Sequence, residues 1–446
     1  MVKITFVGAG SMVFAKNVLG DSMYKESLQK AHIALYDIDK TRLSQAKKVI
    51  QLLNKNINKG RAKVTAHLGV SNRKAALKNA DFVVNAIQVG GYKPSTVIDF
   101  EIPKKYGLRQ TIADTLGVGG IFRGLRTIPV MLDFAKDMEK VCPNAWLLNY
   151  TNPMCILTGA MLRFTDVKTV GLCHSVQAVI PHLTGTLNIK NKYKNLQYKV
   201  AGINHMSWLL ELTNDGKDIY PEIKILAAKK LKQWRKAPLA KKSGDMVRLE
   251  MLARFGYYIT ESSEHNAEYT PFWIKKNYPE LINEFNIPLD EYPRRCERII
   301  NRWQEESKGL LHNRKLKHAC SNEFASVIMN SIITGEPSQV AGNVLNNGLI
   351  TNLPSNCVVE VPCLVDKNGV QGTFVGNLPE QCAALNRTNI NTQLLTLEAA
   401  RTHKKEHIYQ AAMLDPHTAA ELSIDDIVKM CDELIKAHGK ILPKFK

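Results

Sequence analysis

The feature that most restricts the fold of this chain is an alternation of short apolar runs with amphipathic segments. Runs rich in β-branched and apolar residues occur at 2–7, 32–37, 64–66, 81–87, 145–149 and 168–172. Between them, residues 40–58 repeat apolar side chains at helical spacing. Strands that alternate with helices favour a parallel sheet with helices on both faces. The sequence therefore predicts an α/β fold with one doubly wound parallel sheet domain over residues 1–195.

The pattern changes after residue 195. Residues 197–203 and 207–212 read as two strands around a short connection, and residues 358–364 as a further strand. Residues 394–417 read as one long helix, and no internal repeat is visible. We therefore expect a mixed α+β second lobe over residues 196–446, and we assign to it substrate and metal binding and oligomerisation.

Charge and cysteine content exclude several classes of protein. The net charge of +19 suits anionic partners, but the basic residues are spread along the chain with one cluster at 224–242, and no nucleic-acid motif accompanies them. No apolar run approaches the roughly 20 residues that cross a bilayer. The nine cysteines form no CxxC pair, and their number is odd. We expect a cytoplasmic protein that binds neither nucleic acid nor membrane.

The first glycine turn points to a dinucleotide. Gly8, Gly10 and Ser11 follow the first strand and precede a helix, where backbone N–H groups hold a pyrophosphate. Val13 stands where a third small residue is usual. Asp37 ends the second strand, where a carboxylate binds the ribose 2′-hydroxyl of NAD and repels a 2′-phosphate. The alternative is a glycine turn that only packs a helix against a strand.

Two further strand ends are followed by polar residues of types that bind metal ions, cofactors or substrates. Cys173 and His174 follow the strand at 168–172, and His205 follows about 30 residues later. A thiolate with an imidazole suits Mn, Fe, Co, Ni or Zn, and leaves coordination positions open for water or substrate. Asn149 and Asn152 flank a turn whose amides are able to bind cofactor or substrate. The alternative for the cysteine and the histidines is ordinary core packing, and the alternative for the two asparagines is a simple Asn-Pro turn.

These pieces together resemble family 4 of the glycoside hydrolases along nearly the whole chain. The matching segments include FVGAGS, YDID, NAIQVGGYKPS, DTLGVGGIFRGLR, NYTNP, GLCHS, GINH, ESSEHNAEY and LNRTNINTQ. The resemblance implies a Rossmann-like fold related to the lactate and malate dehydrogenases, with NAD and Mn²⁺ or another divalent metal as cofactors. Cys-His-Ser stands where phospho-glycosidases carry Asp or Asn after the cysteine, and it resembles the branch that acts on unphosphorylated α-glucosides and α-galactosides. Residues 89–115 and the segment ESSEHNAEY most resemble the α-galactosidases.

The resemblance also implies a reaction. The family hydrolyses glycosides by NAD-assisted oxidation at C3, metal-stabilised elimination, water addition and re-reduction, so the two carboxylates of ordinary glycosidases are not required. It implies Cys173 and His205 as metal ligands, Asn152 as a substrate contact and Asn149 as a cofactor contact. His174 is expected to act as the leaving-group acid or to bind substrate.

Other residues are left open by the resemblance. The base at C2 is not fixed, and its candidates are Tyr258, Glu261, Glu264 and His265. Arg294 and Arg295 resemble a family arginine that approaches substrate, with a surface ion pair as the alternative. The glycine-rich stretch at 114–126 is expected to form a mobile loop over the cofactor, in which Arg123 and Arg126 reach the pyrophosphate or cap a helix.

Other functions remain open at the level of sequence. α-Glucosidase or α-galacturonidase activity is the near alternative, and Lys93 would be the cation facing a uronate carboxylate. A 2-hydroxy-acid dehydrogenase shares the first domain but uses no metal. A non-catalytic NAD-sensing or nucleic-acid-binding protein would bind a dinucleotide without turnover. The expected assembly is a homodimer or homotetramer, and the expected substrate is a small α-glycoside.

Overall fold

The computed structural model describes residues 1–446, except for the side chains at positions 304, 306 and 312. Thirteen strands are formed by the described residues. They are β1 Lys3–Val7, β2 His32–Asp37, β3 Lys63–Leu68, β4 Phe82–Asn85, β5 Trp146–Asn149, β6 Lys168–Gly171, β7 Leu196–Ile203, β8 Met206–Asn214, β9 Lys217–Asp218, β10 Tyr258–Ile259, β11 Ser338–Leu345, β12 Val358–Asp366 and β13 Gly369–Gly372. Each apolar run predicted as a strand is confirmed as one.

Helices fill the intervals between these strands. They are α1 Met12–Tyr24, α2 Lys40–Asn58, α3 Arg73–Leu77, α4 Val97–Lys105, α5 Gly117–Val141, α6 Met154–Phe164, α7 Ser175–Thr186, α8 Tyr220–Arg235, α9 Met246–Phe255, α10 Ser263–Glu268, α11 Glu280–Glu284, α12 Glu291–His312, α13 Phe324–Thr334, α14 Glu380–Thr402, α15 Lys405–Met413, α16 Pro416–Glu421 and α17 Ile424–His438. None of the described residues forms a helix with the length and apolar character that a bilayer crossing requires.

One mixed sheet runs through the molecule in the order β10-β8-β7-β12-β11-β6-β5-β4-β1-β2-β3. Its part from β6 to β3 is parallel, as predicted, and the remaining pairs are antiparallel. A single residue pair, Asn343 with Gly171, joins the two parts. Within the antiparallel part, β12 and β7 are likewise joined by one pair, Glu360 with Gly202. The boundary between residues 195 and 196 stays a prediction, because the sheet continues from one side of it to the other.

The register of the parallel strands fixes where the site can form. Val7 pairs with Asn85, Asn85 with Asn149, and Asn149 with Gly171, so four strands end at the same level. The loops that follow these strands therefore meet at one edge of the sheet, where doubly wound folds bind their ligands.

Three sequence expectations about local structure are wrong or incomplete. The stretch at 114–126 is not a mobile loop, because its residues from Gly117 onward begin the buried helix α5. A Cβ at Gly119 would lie 2.4 Å from the carbonyl oxygen of Ala113, and one at Gly120 would lie 2.7 Å from that of Thr115. The glycines therefore allow α5 to pack against the backbone of residues 113–115.

The other two differences concern the second lobe. The single helix expected at 394–417 is three helices, α14, α15 and α16, since His403 takes a left-handed conformation and Asp415 caps a new helix at Pro416. Strand β11 was not predicted, because its Gly342 and Asn343 interrupt the apolar pattern. All nine cysteines are free, which agrees with the expectation that no disulfide framework exists.

Candidate active site

The glycine turn after β1 brings backbone close to backbone. Gly8 has a φ of 84°, and a Cβ there would lie 2.6 Å from the carbonyl oxygen of Ala86. The Gly10 amide donates to Oδ2 of Asp37 over 2.6 Å, and Ser11 precedes the first turn of α1. The carboxylate at the end of β2 and the turn at the end of β1 thus meet as the sequence predicted. Side chains larger than hydrogen do not fit at Gly8.

Three residues of types that commonly bind metal ions lie together at the same sheet edge: Cys173, His205 and Glu261. We call these three residues the metal-type cluster. Sγ of Cys173 is 3.2 Å from Nε2 of His205, and that nitrogen is 3.6 Å from Oε2 of Glu261. The three donor atoms all lie within 4.8 Å of one another. Cys173 follows β6, His205 lies in the turn between β7 and β8, and Glu261 follows β10. The fold thereby brings together residues from three segments that are far apart in sequence.

The backbone at two of these positions is unusual. His205 has a φ of 63° and Glu261 a φ of 65°, in the left-handed region that non-glycine residues seldom adopt. Strain of this kind persists where the surrounding structure dictates it, and it collects at functional sites. Both turns therefore direct the imidazole and the carboxylate towards Cys173 at some conformational cost.

The cluster is electrostatically coupled. Burial lowers the pKa of His205, but the Cys173 thiolate and the Glu261 carboxylate outweigh it and raise that pKa to about 10. Burial raises the pKa of Glu261, yet His205, His265 and Arg248 bring it down to about 2. A thiolate and a carboxylate held next to an imidazole form an anionic donor set that fits a divalent transition metal ion. Glu261, one of the candidate bases, is thus also a candidate third ligand.

Tyr269 supports this cluster and was missed by the sequence analysis. Its hydroxyl lies 3.2 Å from Nδ1 of His205, and the residue is fully buried. A partner on the second ring nitrogen fixes the orientation of a ligating histidine. The sequence holds no signal for this role beyond the position of Tyr269 at the end of ESSEHNAEY.

The remaining base candidates differ in position. The His265 ring is buried 5.0 Å from the His205 ring, and its Nδ1 lies 2.7 Å from the Ser262 hydroxyl. Glu264 is paired with Arg295 over 2.5 Å. Tyr258 lies apart from the cluster, because it is fully buried and donates to Asp245 over 2.5 Å. The structure thus brings His265 to the metal-type cluster and leaves Tyr258 in the core.

The two candidate arginines also lie in different surroundings. Arg295 contacts Glu264 and so borders the site, whereas Arg294 binds the Leu289 carbonyl and Glu291. Lys93, the residue considered for a uronate, is exposed and has no ion pair among the described residues.

The two asparagines of NYTNP behave differently. Asn149 is fully buried, and its amide bonds to Asn85 and to the Thr151 backbone, so it holds the turn together. The Asn152 carbonyl accepts from Nε of Arg123 over 3.2 Å. Its side-chain Oδ1 is buried without a hydrogen-bond partner among the described residues. Such an orphaned acceptor is expected where a ligand completes the bonding.

Asp114 is a second residue that sequence reasoning missed. It is buried, accepts from the Thr115 hydroxyl over 2.8 Å, and its charge acts on His205, His265 and Arg123. The only signal in the sequence is an acidic residue directly before a glycine-rich helix start. Asp114 therefore places a carboxylate beside the cluster in addition to Glu261, without an ion pair of its own among the residues described.

The loop that carries Asp114 is held from behind by Glu268. This buried carboxylate accepts the backbone amides of Thr111 and Ala113, each over 2.8 Å, and that of Ile112 over 3.2 Å. Burial raises the pKa of Glu268 to about 7, while these hydrogen bonds act in the opposite direction. Ala113 itself has a φ of 51°. The loop is thus fixed in a strained conformation that presents Asp114 to the site.

His174 lies on the outer side of Cys173. Its Nε2 is 2.6 Å from Oε1 of Glu323, and this hydrogen bond raises the pKa of His174 against the effect of burial. The ring also contacts the rings of Tyr150 and Phe14, with centroids 6.3 and 6.4 Å away. The side chain is half exposed and so stays accessible to a ligand.

The fold and the site define an enzyme built on a dinucleotide-binding sheet that joins a glycine turn to a metal-type cluster. Comparison with known proteins identifies the family to which this enzyme belongs. Residues 3–189 match the family 4 glycosyl hydrolases, and residues 200–418 match the C-terminal domain of the same family. The chain therefore belongs to family 4 of the glycosyl hydrolases.

Individual relatives agree with this assignment. The chain is 58% identical to an α-galactosidase of Bacillus subtilis (strain 168), with both chains covered completely. It superposes on a 6-phospho-α-glucosidase from gut microorganisms, solved with NAD and Mn²⁺, with a TM-score of 0.81, 21% identity and 100% of each chain covered. A lactate dehydrogenase of Cryptosporidium parvum gives a TM-score of 0.52 at 13% identity, covering 90% of this chain and 98% of the other. The predicted Rossmann-like fold is confirmed.

Proposed function

We propose that this chain hydrolyses α-galactosides with the help of NAD and a divalent metal ion, Mn²⁺ in the first instance. The observation that carries the proposal is the convergence of Cys173, His205 and Glu261 at the carboxyl edge of a dinucleotide-binding sheet. Identity of 58% over the full length with a relative named α-galactosidase supports the choice of sugar. The expected assembly remains a homodimer or homotetramer in the cytoplasm.

The residues around the cluster suit the two cofactors. The turn at Gly8, Gly10 and Ser11, with Asp37 behind it, would hold NAD, which supplies hydride acceptance and return when bound. Cys173 and His205, with Glu261 as a third donor, would hold the metal, which supplies Lewis-acid polarisation of a sugar oxygen when bound.

The polar side chains around these residues provide the remaining functions. Asn152 has a buried acceptor without a partner, so we assign it to a sugar hydroxyl, which is a donor. Asp114 is a buried carboxylate, and we assign it to hydroxyls of the same sugar. His174 is accessible beside Cys173, and we assign it to the glycosidic oxygen on the leaving-group side.

A base for the C2 proton is also needed. His265 and Glu261 lie together, with Nδ1 of His265 3.6 Å from Oε1 of Glu261. Burial lowers the pKa of His265, which favours its neutral, basic form at neutral pH. We therefore place His265 first, ahead of Glu261, which we assign to the metal, of Glu264, whose carboxylate is engaged by Arg295, and of Tyr258 in the core.

The test is hydrolysis of p-nitrophenyl-α-galactoside by metal-free protein, with NAD⁺ and Mn²⁺ added singly and together under reducing conditions. The proposal requires turnover only when both are present. The C4 epimer, p-nitrophenyl-α-glucoside, and an α-galacturonide serve as comparisons, because pocket contacts alone decide between them. Faster turnover of either would retain the mechanism and replace the sugar. Turnover without NAD⁺ would contradict the mechanism itself.

A further inference from the structure

Glu323 is a residue that neither the sequence motifs nor the metal-type cluster accounts for. It begins the turn into α13, far from Cys173 in sequence, and its side chain is 6% exposed. Its carboxylate makes one short hydrogen bond, to Nε2 of His174. From this contact we propose that Glu323 is a positioning residue, which fixes the His174 ring so that Nδ1 faces the substrate; the proposal rests on the proposed function.

The direction of this hydrogen bond decides which nitrogen is available. A carboxylate only accepts hydrogen bonds, so Nε2 of His174 carries the proton that points to Glu323. Nδ1 of His174 has no partner among the described residues. It is therefore the atom left to contact the sugar. In the neutral ring Nδ1 accepts a hydrogen bond from a sugar hydroxyl, and it donates to the glycosidic oxygen only when it also carries a proton. Without the acceptor at Glu323, the half-exposed imidazole would be free to rotate and exchange its two nitrogens.

Glu323 is itself held by a chain of contacts that reaches α1. The backbone of Ser321 donates to Oδ1 of Asp21 over 2.9 Å, and the same oxygen lies 2.7 Å from Nε2 of His318. The Glu323 amide then donates to the Ser321 hydroxyl over 3.3 Å.

The other side of the turn is fixed as well. The Tyr150 hydroxyl accepts the amide of Ala325 over 3.1 Å. Burial raises the pKa of Tyr150 well above its usual value, and the Glu323 carboxylate adds to this effect. Backbone hydrogen bonds on both sides of Glu323 hold the turn that carries it, so the orientation that its carboxylate imposes on His174 does not depend on substrate binding.

The substitutions that test this role differ in a single property. Glu323→Gln keeps an acceptor oxygen at the same distance, whereas Glu323→Met has a similar length and no acceptor for an imidazole N–H. With NAD⁺ and Mn²⁺ present, we expect Glu323→Met to lower kcat on p-nitrophenyl-α-galactoside by roughly 10- to 100-fold, the range of one hydrogen bond to a charged group. KM should change less than about threefold, and Glu323→Gln should recover most of kcat.

A double-mutant cycle separates positioning from general stability. If Glu323 acts through His174, the His174→Ala/Glu323→Met double variant is no slower than His174→Ala alone. Exposed Glu336, near the other end of α13, provides the matched control Glu336→Gln, which should behave as the unaltered protein. Additive losses, or equal losses in the Gln and Met variants, would overturn the proposal.

A spectroscopic measurement keeps this inference separate from the proposed function. In metal-free protein labelled with ¹⁵N-histidine, the hydrogen-bonded Nε2 proton of His174 should give a resonance protected from exchange. It should be retained in Glu323→Gln and lost in Glu323→Met and His174→Ala. Its absence from the unaltered protein would reject the hydrogen bond whatever the sugar specificity. Its presence without hydrolysis of any α-galactoside would reject the proposed function and keep the pairing.

Discussion

Loss of the Asp99 carboxylate should destabilise this protein more than loss of a surface charge. Asp99 accepts two hydrogen bonds from the Arg126 guanidinium, over 3.1 and 2.7 Å, and lies 2.9 Å from Nε2 of His438. The three side chains are 2%, 0% and 0% exposed, respectively. They tie helices α4, α5 and α17 together. In Asp99→Asn the buried guanidinium loses its counter-ion.

The expected loss in the free energy of unfolding follows from the burial of this ion pair. Breaking a buried ion pair by removing one partner costs about 3–5 kcal/mol. The entropy of unfolding is roughly 2.1 cal/mol/K per residue, or about 0.9 kcal/mol/K for a cooperative unit of 446 residues. Asp99→Asn should therefore lower Tm by about 3–5 °C. Denaturant unfolding followed by tryptophan fluorescence, with calorimetry alongside, measures both quantities.

Two further variants test whether burial of the ion pair causes the loss of stability. Glu101→Gln removes the exposed pair with Lys104, whose side chains are 59% and 39% exposed, and should change stability by less than about 1 kcal/mol. Asp99→Leu combined with Arg126→Met leaves no unpaired charge in the core and should recover much of the loss. A free energy of unfolding of Asp99→Asn within about 1 kcal/mol of the unaltered protein would show that this buried ion pair contributes little to stability.

Three other predictions concern the site. Cys173→Ala and His205→Ala should each abolish Mn²⁺-dependent hydrolysis and weaken Mn²⁺ binding in titration calorimetry at least tenfold, and unchanged binding would remove these residues from the ligand set. Asp37→Ala should weaken NAD⁺ binding by roughly tenfold or more in a fluorescence titration, because a charged hydrogen bond to ribose is lost; equal affinity would contradict the assigned contact. Asp114→Asn should lower kcat/KM by roughly 100-fold with Tm nearly unchanged, and a drop in Tm without loss of activity would make Asp114 structural.

The sequence by itself determined most of the strands and the fold class. Apolar runs such as HIALYD became strands because continuous β-branched segments of this length are stable when both faces are covered. The glycine turn and Asp37 could be paired from the sequence because both are tied to strand ends in one local unit. The resemblance to family 4 rested on ordered motifs, and so it did not require knowledge of how they pack.

What the tertiary structure alone decided lies in contacts between distant segments. Glu261 and Tyr258 were equivalent candidates in sequence, and only the turn after β10 directs the first to His205 and the second to Asp245.

The roles of Asp114 and Glu323 were likewise invisible. Asp114 depends on a loop held by Glu268, and Glu323 meets His174 across 149 residues of chain. Local propensity carries no information about such pairs, because their geometry is set by how the sheet and its helices pack. The sequence therefore fixes the fold and the kinds of ligand available, whereas packing decides which side chains share the site.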